Sequence, residues 1–281
     1  MNRRTLLLSQ AIAAIAFLAL YWQVLAKLIH DWSRDENYSH GFLIVPIALY
    51  FIWERRESLM QAEAKPSVLG LGVIVMSLLT LMAGTLGAEL FLTRVSLIGM
   101  AAGIVLFVFG TEHLRILRFP IGFLLLMIPI PGILFNQITF PLQLLASRFG
   151  ELALRFMNIP VLREGNVINL ANTSLEVAEA CSGIRSLISL LTLGIVLGYF
   201  TDSRASVRLL IAVSTVPVAI AANALRVAGT GVAAHFVGPE AATGFLHTFS
   251  GWLMFVAASA LLLAIQRGTA WVFPPSGKSI G

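Results

Sequence analysis

Residues 209–233 read LLIAVSTVPVAIAANALRVAGTGVA, an apolar segment in which Arg226 is the one charged side chain. A bilayer core about 30 Å thick needs roughly 20 consecutive apolar residues in helical form. The segment meets that requirement. It therefore predicts a helix that crosses a membrane and carries one arginine within it.

Similar segments recur along almost the whole chain. Apolar residues make up 58% and charged residues 12% of the 281 positions, against about 45–50% and about 25% in soluble proteins. We therefore predict an all-α fold, a polytopic membrane helix bundle with about eight transmembrane helices, in one integral-membrane domain over residues 1–281. The predicted spans are residues 5–26, 41–53, 67–86, 90–110, 119–135, 183–200, 209–233 and 247–266. The second span is short, and Pro129 and Pro131 interrupt the fifth, so either is a candidate for a re-entrant segment.

The charges that flank the spans orient them. With the N-terminus inside, eleven Lys and Arg residues lie inside and five outside. The inner set is Arg3, Arg4, Arg55, Arg56, Lys65, Arg115, Arg118, Arg204, Arg208, Arg267 and Lys278, and the outer set is Lys27, Arg34, Arg148, Arg155 and Arg163. Positive residues collect on the cytoplasmic side, so we predict that both termini are cytoplasmic. The formal net charge of +5 then reflects topology and attraction to anionic lipid, and gives no reason to propose nucleic acid as a partner.

The longest polar segment, residues 136–180, is predicted to lie outside the membrane. In residues 141–157 the charges Arg148, Glu151 and Arg155 fall on one helical stripe, with apolar residues largely opposite. This pattern favours an outer helix along the lipid surface, although a short connector packed on other helices fits it equally well. Residues 161–180 alternate in polarity and predict a small periplasmic loop with a hairpin that leads to Cys181.

Three potentially reactive side chains lie near span ends, and the topology places all three on the outer side. Cys181 precedes the sixth span, and His247 opens the eighth. At a rise of about 1.5 Å per residue, Arg226 lies about 25 Å across the seventh span. Cys181 is the only cysteine and so has no partner for an intramolecular disulfide. We therefore expect a thiol, an imidazole and a guanidinium to converge at the outer mouth of one bundle.

This trio has a coherent chemical use. A neighbouring histidine and a helix N-terminus both favour the thiolate form of a cysteine. Arg226 would stabilise an oxyanion, and His247 would act as general acid and base. The predicted reaction is acyl transfer through a thioester on Cys181. An isolated membrane cysteine or histidine is more often structural, but an intramembrane arginine is functional or specifically paired by default.

Other polar residues near the trio have supporting roles in this interpretation. Asn223 lies three residues before Arg226 on the same helical face, and would orient it or complete a structural polar cluster. Arg185 lies four residues after Cys181, and would hold an acidic substrate residue or pair with Glu179 or Glu89. Glu179 itself fits a helix-capping role. Arg94 is expected to reach the outer interface. The chain has no cluster with zinc-ligand spacing, so we expect neither a metal nor a cofactor.

Four segments of the chain resemble the exosortase and archaeosortase family of membrane transpeptidases. They are Ala180-Cys181-Ser182-Gly183-Ile184-Arg185-Ser186, Asn223-Ala224-Leu225-Arg226, Phe245-Leu246-His247-Thr248-Phe249-Ser250-Gly251 and the N-terminal Tyr38-Ser39-His40-Gly41-Phe42-Leu43-Ile44-Val45-Pro46. The resemblance covers nearly the full chain. Some family members carry an additional C-terminal soluble domain, whereas this sequence ends soon after the eighth predicted span.

The resemblance implies an enzyme of the bacterial inner membrane. Its substrates would be exported proteins with a C-terminal sorting signal: a Pro-Glu-Pro-like motif, one transmembrane helix and a basic tail. The enzyme would cleave at the motif and pass the new C-terminus to an acceptor linked to the cell envelope, frequently in organisms that make exopolysaccharide. In this family's terms Cys181 would be the nucleophile, His247 the acid and base, and Arg226 the oxyanion stabiliser.

Two alternatives stay open at the level of sequence. One is a hydrolytic intramembrane cysteine protease, in which water accepts the acyl group. The other is a small anion transporter or scaffold, in which Arg94, Arg185 and Arg226 bind an anion.

Overall fold

The computed structural model describes residues 3–171, 173–177, 183–202, 204–238 and 244–272, without the side chains of residues 3–11, 13 and 244–248. The helices are α1 (Arg3–Arg34), α2 (Gly41–Glu54), α3 (Arg56–Gln61), α4 (Leu69–Leu86), α5 (Leu90–Val108), α6 (Thr111–Phe123), α7 (Gly132–Phe156), α8 (Ile184–Thr201), α9 (Ala205–Val237) and α10 (Gly244–Val272). The strands are β1 (Val161–Glu164), β2 (Val167–Leu170) and β3 (Ser174–Glu176). The helices dominate, which confirms the predicted all-α membrane bundle.

The predicted count of about eight spans is not confirmed by the structure. Within the described ranges, six helices are long and apolar enough to cross a membrane, or seven if α6 and α7 count together as one broken span. The six are α1 from Ala14 onward, α4, α5, α8, α9 and α10. The second predicted span corresponds to α2, which is apolar but short. The first predicted span, residues 5–26, lies within α1, which continues to Arg34.

The fifth predicted span, residues 119–135, is not one continuous helix. After α6 a 3-10 turn covers Leu124–Met127, and α7 begins at Gly132. Pro129 and Pro131 stand in the gap. Proline lacks a backbone N–H and disfavours helical geometry at the residue before it. The interruption therefore follows from the sequence. The segment predicted as an outer helix, residues 141–157, is helical as the C-terminal part of α7, and its position along the lipid surface stays a prediction.

The chain forms two compact units, Met1–Pro131 and Gly132–Gly281, and the single-domain assignment stays a prediction. In the first unit Arg94 of α5 is 3% exposed, and its Nη2 donates a hydrogen bond to Asp31 Oδ2 of α1. Lys27 Nζ lies 3.0 Å from the other oxygen of Asp31. The expectation that Arg94 reaches the interface is wrong, since a carboxylate on the neighbouring helix balances its charge.

The second unit contains α7 to α10 and the sheet. The strands are antiparallel in the order β1-β2-β3, so the predicted hairpin has a third strand. Glu151 of α7 binds both Arg155, at 2.8 Å, and Arg163 of β1, at 3.0 Å. The charged stripe predicted on α7 thus attaches the sheet to that helix.

Helices α8 and α9 form an antiparallel hairpin with glycines at the contact. A β-carbon at Gly194 would lie 2.4 Å from Thr215 Cγ2, so the helices approach closely there.

In the turn between α8 and α9, hydrogen bonds from Arg204 lower the pKa of Asp202 to about 2. Helix α10 packs on both α8 and α9, and the buried contacts include Leu190, Ile211 and Leu262.

Candidate active site

The entry to α8 is a sharp left-handed turn at Gly183. Its backbone has φ +81° and ψ 2°, a region that residues with a β-carbon rarely adopt. A β-carbon here would also lie 2.7 Å from Asn223 Cγ and 2.8 Å from Asn223 Cβ. Backbone geometry and packing therefore both require glycine at this position.

Asn223 provides the surface against which this turn rests. It belongs to α9 and is buried, with 6% of its surface exposed. The sequence predicted that Asn223 would orient Arg226 or join a polar cluster, and the structure adds a direct contact with Gly183 that the spacing did not predict. The contact joins the start of α8 to the C-terminal half of α9.

Arg226 lies one helical turn beyond Asn223 and faces α10. It is partly buried, and its Cζ and Nη2 atoms are each 3.3 Å from the place that a β-carbon on Gly251 would occupy. Gly251 therefore leaves space for the guanidinium group. This contact places the Arg226 guanidinium group beside Gly251, seven residues after the start of α10 at Gly244.

His247 lies four residues before Gly251. Its side chain is outside the described residues, but its backbone belongs to the first turn of α10. Positions four apart share a face of a helix, so position 247 lies one turn from the glycine that meets Arg226. A role for His247 in the site stays a prediction.

Cys181 and Glu179 lie outside the described residues, but the described residues on either side of their segment, Val177 and Gly183, are both packed in the second unit. On one side Val177 is 3% exposed and belongs to the same buried cluster as Val227. On the other side Gly183 packs on Asn223. Two residues of extended chain cover at most about 7 Å, which limits the distance between position 181 and Gly183. The nucleophile predicted from the sequence therefore belongs to a short segment between two packed residues, Val177 in a buried cluster and Gly183 against Asn223.

The sheet contributes the first of these anchors. The Val177 N–H donates to the Asn166 carbonyl oxygen at 2.9 Å, which extends the pairing just beyond β3. Ser147 Oγ of α7 donates to the Gly165 carbonyl oxygen at 2.9 Å in the β1-β2 turn. The sheet thus holds the chain as far as Val177 and is itself bound to α7, a support that the sequence predicted only as a hairpin.

Arg185 is the second residue of α8, within its first turn, and is partly buried. It lies two residues from Gly183, at the same end of the hairpin as Asn223 and Arg226. Its proposed contact with an acidic substrate residue stays a prediction.

The geometry around these positions can support attack by a thiol on a carbonyl. The Arg226 guanidinium group, with its five N–H donors, lies one turn from Asn223, which packs on Gly183. The backbone of position 247 lies in the first turn of α10, one turn from Gly251, which contacts Arg226. Fixed donors of this kind stabilise developing negative charge on oxygen.

Comparison with known proteins gives one positive finding. The model of the family described as transmembrane exosortase matches residues 32–264. No curated protein matches the chain, and no solved structure does.

Proposed function

The chain belongs to the transmembrane exosortase family, and on that premise we propose that it is a cysteine peptidase and transpeptidase that processes C-terminal sorting signals of exported proteins. The observation that carries the proposal is the bracketing of position 181. Val177 belongs to the same buried cluster as Val227, Gly183 packs on Asn223, and Arg226 lies between Asn223 and Val227 in the sequence of α9.

The proposed reaction begins when His247 accepts the thiol proton of Cys181 and the resulting Sγ thiolate attacks the scissile carbonyl carbon. The carbonyl electrons move to oxygen, and Arg226 donates hydrogen bonds to this oxyanion. The tetrahedral intermediate collapses, the C–N bond breaks, and His247 gives a proton to the departing amine. The product of this step is a thioester between Cys181 and the substrate's new C-terminus.

The second half of the reaction returns the thiol. An acceptor attacks the thioester carbonyl and loses its proton to His247, and the C–S bond breaks. An amine acceptor linked to the envelope gives an amide, whereas water gives a free carboxylate. We propose the amine as the productive acceptor, with hydrolysis as the alternative.

The proposed substrates have a Pro-Glu-Pro-like motif, a transmembrane helix and a basic tail. Arg185 is proposed to hold the acidic residue of the motif, since it lies in the first turn of α8 near the nucleophile segment. Glu179 is proposed to cap the start of α8.

We place the enzyme in the bacterial inner membrane with both termini in the cytoplasm and the site facing the periplasm. A common side for the site is supported by two contacts at one end of α8, α9 and α10, those of Gly183 with Asn223 and of Arg226 with Gly251. Reporter fusions after Gly165 and Gly238 should be periplasmic and one after Asp202 cytoplasmic. A cytoplasmic signal at Gly165 would contradict the placement.

Mass spectrometry of the processed substrate separates the two acceptors. The substrate is co-expressed with the enzyme, and the new C-terminus is isolated from membranes. An added mass on that terminus supports transpeptidation, whereas a free carboxylate in every product molecule supports hydrolysis. Unprocessed substrate in the presence of the wild-type enzyme would contradict the proposed function.

The anion-transporter alternative has less support. One of its three arginines, Arg94, is buried against Asp31 in the described part of the chain, so its charge is already balanced.

A further inference from the structure

The interrupted helix after α6 leaves backbone carbonyl groups that need hydrogen-bond donors. In a continuous helix each carbonyl oxygen accepts from the N–H four residues later, and the last carbonyl groups of a helix have no such partner. Residue 131 is a proline, which has no N–H to donate to the Met127 carbonyl. Met127 is 4% exposed and Ile128 is 5% exposed. A carbonyl group without a donor in such apolar surroundings would be costly.

Two side chains at the junction of α1 and α2 donate to the carbonyl groups at the end of the 3-10 turn. Trp32 Nε1 donates to the Met127 carbonyl oxygen at 2.9 Å, and His40 Nε2 lies 3.1 Å from the carbonyl oxygen of Leu126. A carbonyl oxygen only accepts hydrogen bonds, so the Nε2 atom of His40 carries the hydrogen. The two donors precede their acceptors by 95 and 86 positions. They therefore join the interrupted helix to a segment that is distant in the sequence.

The neighbouring carbonyl groups have donors as well. The Leu125 oxygen accepts from the N–H of Ile128 at 3.2 Å, and the two bonds above serve the next two oxygens along the chain. Beyond the 3-10 turn, the Tyr38 hydroxyl donates to the Ile130 carbonyl oxygen at 3.4 Å. Side-chain donors thus continue where the helical hydrogen bonds stop.

Packing holds the donors in place. Trp32 is 7% exposed, and a β-carbon on Gly41 would lie 2.3 Å from its Nε1 atom, so a larger residue at position 41 would displace the indole ring. Helix α2 packs on the 3-10 turn and on α6, and the Phe51 ring centroid lies 5.1 and 5.3 Å from those of Phe119 and Phe123. The donors and the interrupted helix are therefore packed together within the first compact unit.

We propose that Trp32, Tyr38 and His40 form a clamp on the interrupted helix, in which side-chain donors replace the backbone donors that its end and its prolines lack. The clamp gives a role to residues 38–46, the N-terminal segment of the family resemblance, which the proposed reaction does not use. This segment contains two of the three donors and the glycine that accommodates the indole ring. The inference is independent of the proposed function, because it concerns hydrogen bonds within the first unit.

The test measures how well the clamp protects the interrupted helix. Because the chain has one cysteine, Ile128→Cys in a Cys181→Ala background places a single thiol at a buried position. With the clamp intact, this thiol should react slowly with a maleimide in detergent. His40→Leu removes a donor and leaves a buried carbonyl unsatisfied, which should raise the labelling rate about tenfold. Trp32→Phe keeps an aromatic ring without the N–H and should have a similar effect.

Conservative substitutions separate the hydrogen bonds from general packing. His40→Gln keeps an N–H donor on a side chain of similar reach and should leave the labelling rate unchanged. Ser39→Ala is the matched control within the same segment, because the Ser39 hydroxyl donates to the Glu36 carbonyl oxygen at an exposed site, and it should also leave the rate unchanged. Tyr38→Phe removes one hydroxyl group and should raise the rate about threefold. It provides an independent test if Trp32→Phe or His40→Leu fails to accumulate in membranes.

Each outcome decides for or against the clamp. Faster labelling in His40→Leu and Trp32→Phe, together with slow labelling in His40→Gln, would support it. Equal labelling rates in all variants would overturn it. Labelling that is equally fast in His40→Gln and His40→Leu would also overturn it, because packing of the imidazole ring and not its hydrogen bond would then protect the thiol. The measurement uses no substrate, so failure of the clamp and failure of the proposed function are distinguishable.

Discussion

Asn223 packs so closely on Gly183 that a β-carbon at position 183 would lie 2.7 Å from the Asn223 Cγ atom. The two residues are far apart in sequence, and their contact joins the start of α8 to α9. Because Cys181 precedes Gly183 by only two residues, this contact limits how far position 181 can lie from α9. The position of the predicted nucleophile therefore depends on the contact between Gly183 and Asn223.

We expect Gly183→Ala to abolish processing. A residue with a β-carbon in a left-handed conformation costs about 1–2 kcal/mol, and overpacking against Asn223 adds about 1–3 kcal/mol. The turn should shift and move position 181. Processing in cells and thermal unfolding in detergent measure the two effects.

Gly229→Ala is the matched control for this substitution. A β-carbon at Gly229 meets no atom within 4 Å, and alanine is the better helix former by about 1 kcal/mol. Gly229→Ala should retain processing. Wild-type processing by Gly183→Ala would show that the turn does not position the nucleophile.

Gly251→Ala should weaken catalysis without unfolding the protein. Its β-carbon would meet the guanidinium group of Arg226 at 3.3 Å, and a flexible side-chain end can move aside by a few tenths of an ångström. We expect about a tenfold lower processing rate and little change in Tm. Gly268→Ala on the same helix, where a β-carbon meets nothing within 4 Å, should have no effect on the rate. Equal rates for the two variants would sink this prediction.

Arg226→Lys should lower the processing rate by about 10²-fold, the effect of removing an oxyanion donor. Lysine keeps the charge but lacks the planar fork of donors. The rate and the membrane level should be measured together. A variant with wild-type rate would mean that only the charge of Arg226 matters.

Asp31→Asn should destabilise the first compact unit by about 3 kcal/mol, because it leaves the buried Arg94 without its charge partner. Thermal unfolding in detergent measures this loss. Glu63→Gln is the control, since Glu63 pairs with Lys65 at an exposed site. The double variant Asp31→Asn/Arg94→Met should recover stability relative to Asp31→Asn alone, because an apolar side chain replaces the buried charge. No recovery would mean that the ion pair is not the source of the loss.

The turn between α8 and α9 should respond to acid. The folded pKa of Asp202, about 2, is below the value of about 3.9 for an unfolded aspartate. Its contribution to stability is therefore complete above pH 4 and is lost as the pH falls toward 2. The Tm difference between wild type and Asp202→Asn should shrink over that interval. A difference that stays constant from pH 6 to pH 2 would contradict the assignment.

The sequence predicted those features that depend on local composition. The six spans follow from the length of the apolar segments, and Pro129 and Pro131 mark the break before α7. The alternation after residue 161 predicted strand pairing but not the third strand, because β3 covers only Ser174–Glu176.

Contacts between residues that are distant in the sequence could not be predicted from it. Asp31 and Arg94 are 63 positions apart, and no local pattern pairs them. The same holds for Gly183 with Asn223 and for Arg226 with Gly251. The sequence signals were Gly183, two residues after Cys181, and Gly251, four residues after His247. A glycine in a sequence does not show which residue it contacts in the folded protein. The count of about eight spans is not confirmed, because α2 is short and the apolar run through Pro129 and Pro131 is not one helix in the described part of the chain.

The most direct test of the central claim, catalysis through a thioester on Cys181, is processing of a co-expressed substrate with a Pro-Glu-Pro-type signal by wild type and Cys181→Ala at matched membrane levels. We predict that the shortened product is present with the wild type and absent with Cys181→Ala. Product at the wild-type level from Cys181→Ala would mean that the cysteine is structural and that the proposed mechanism is wrong.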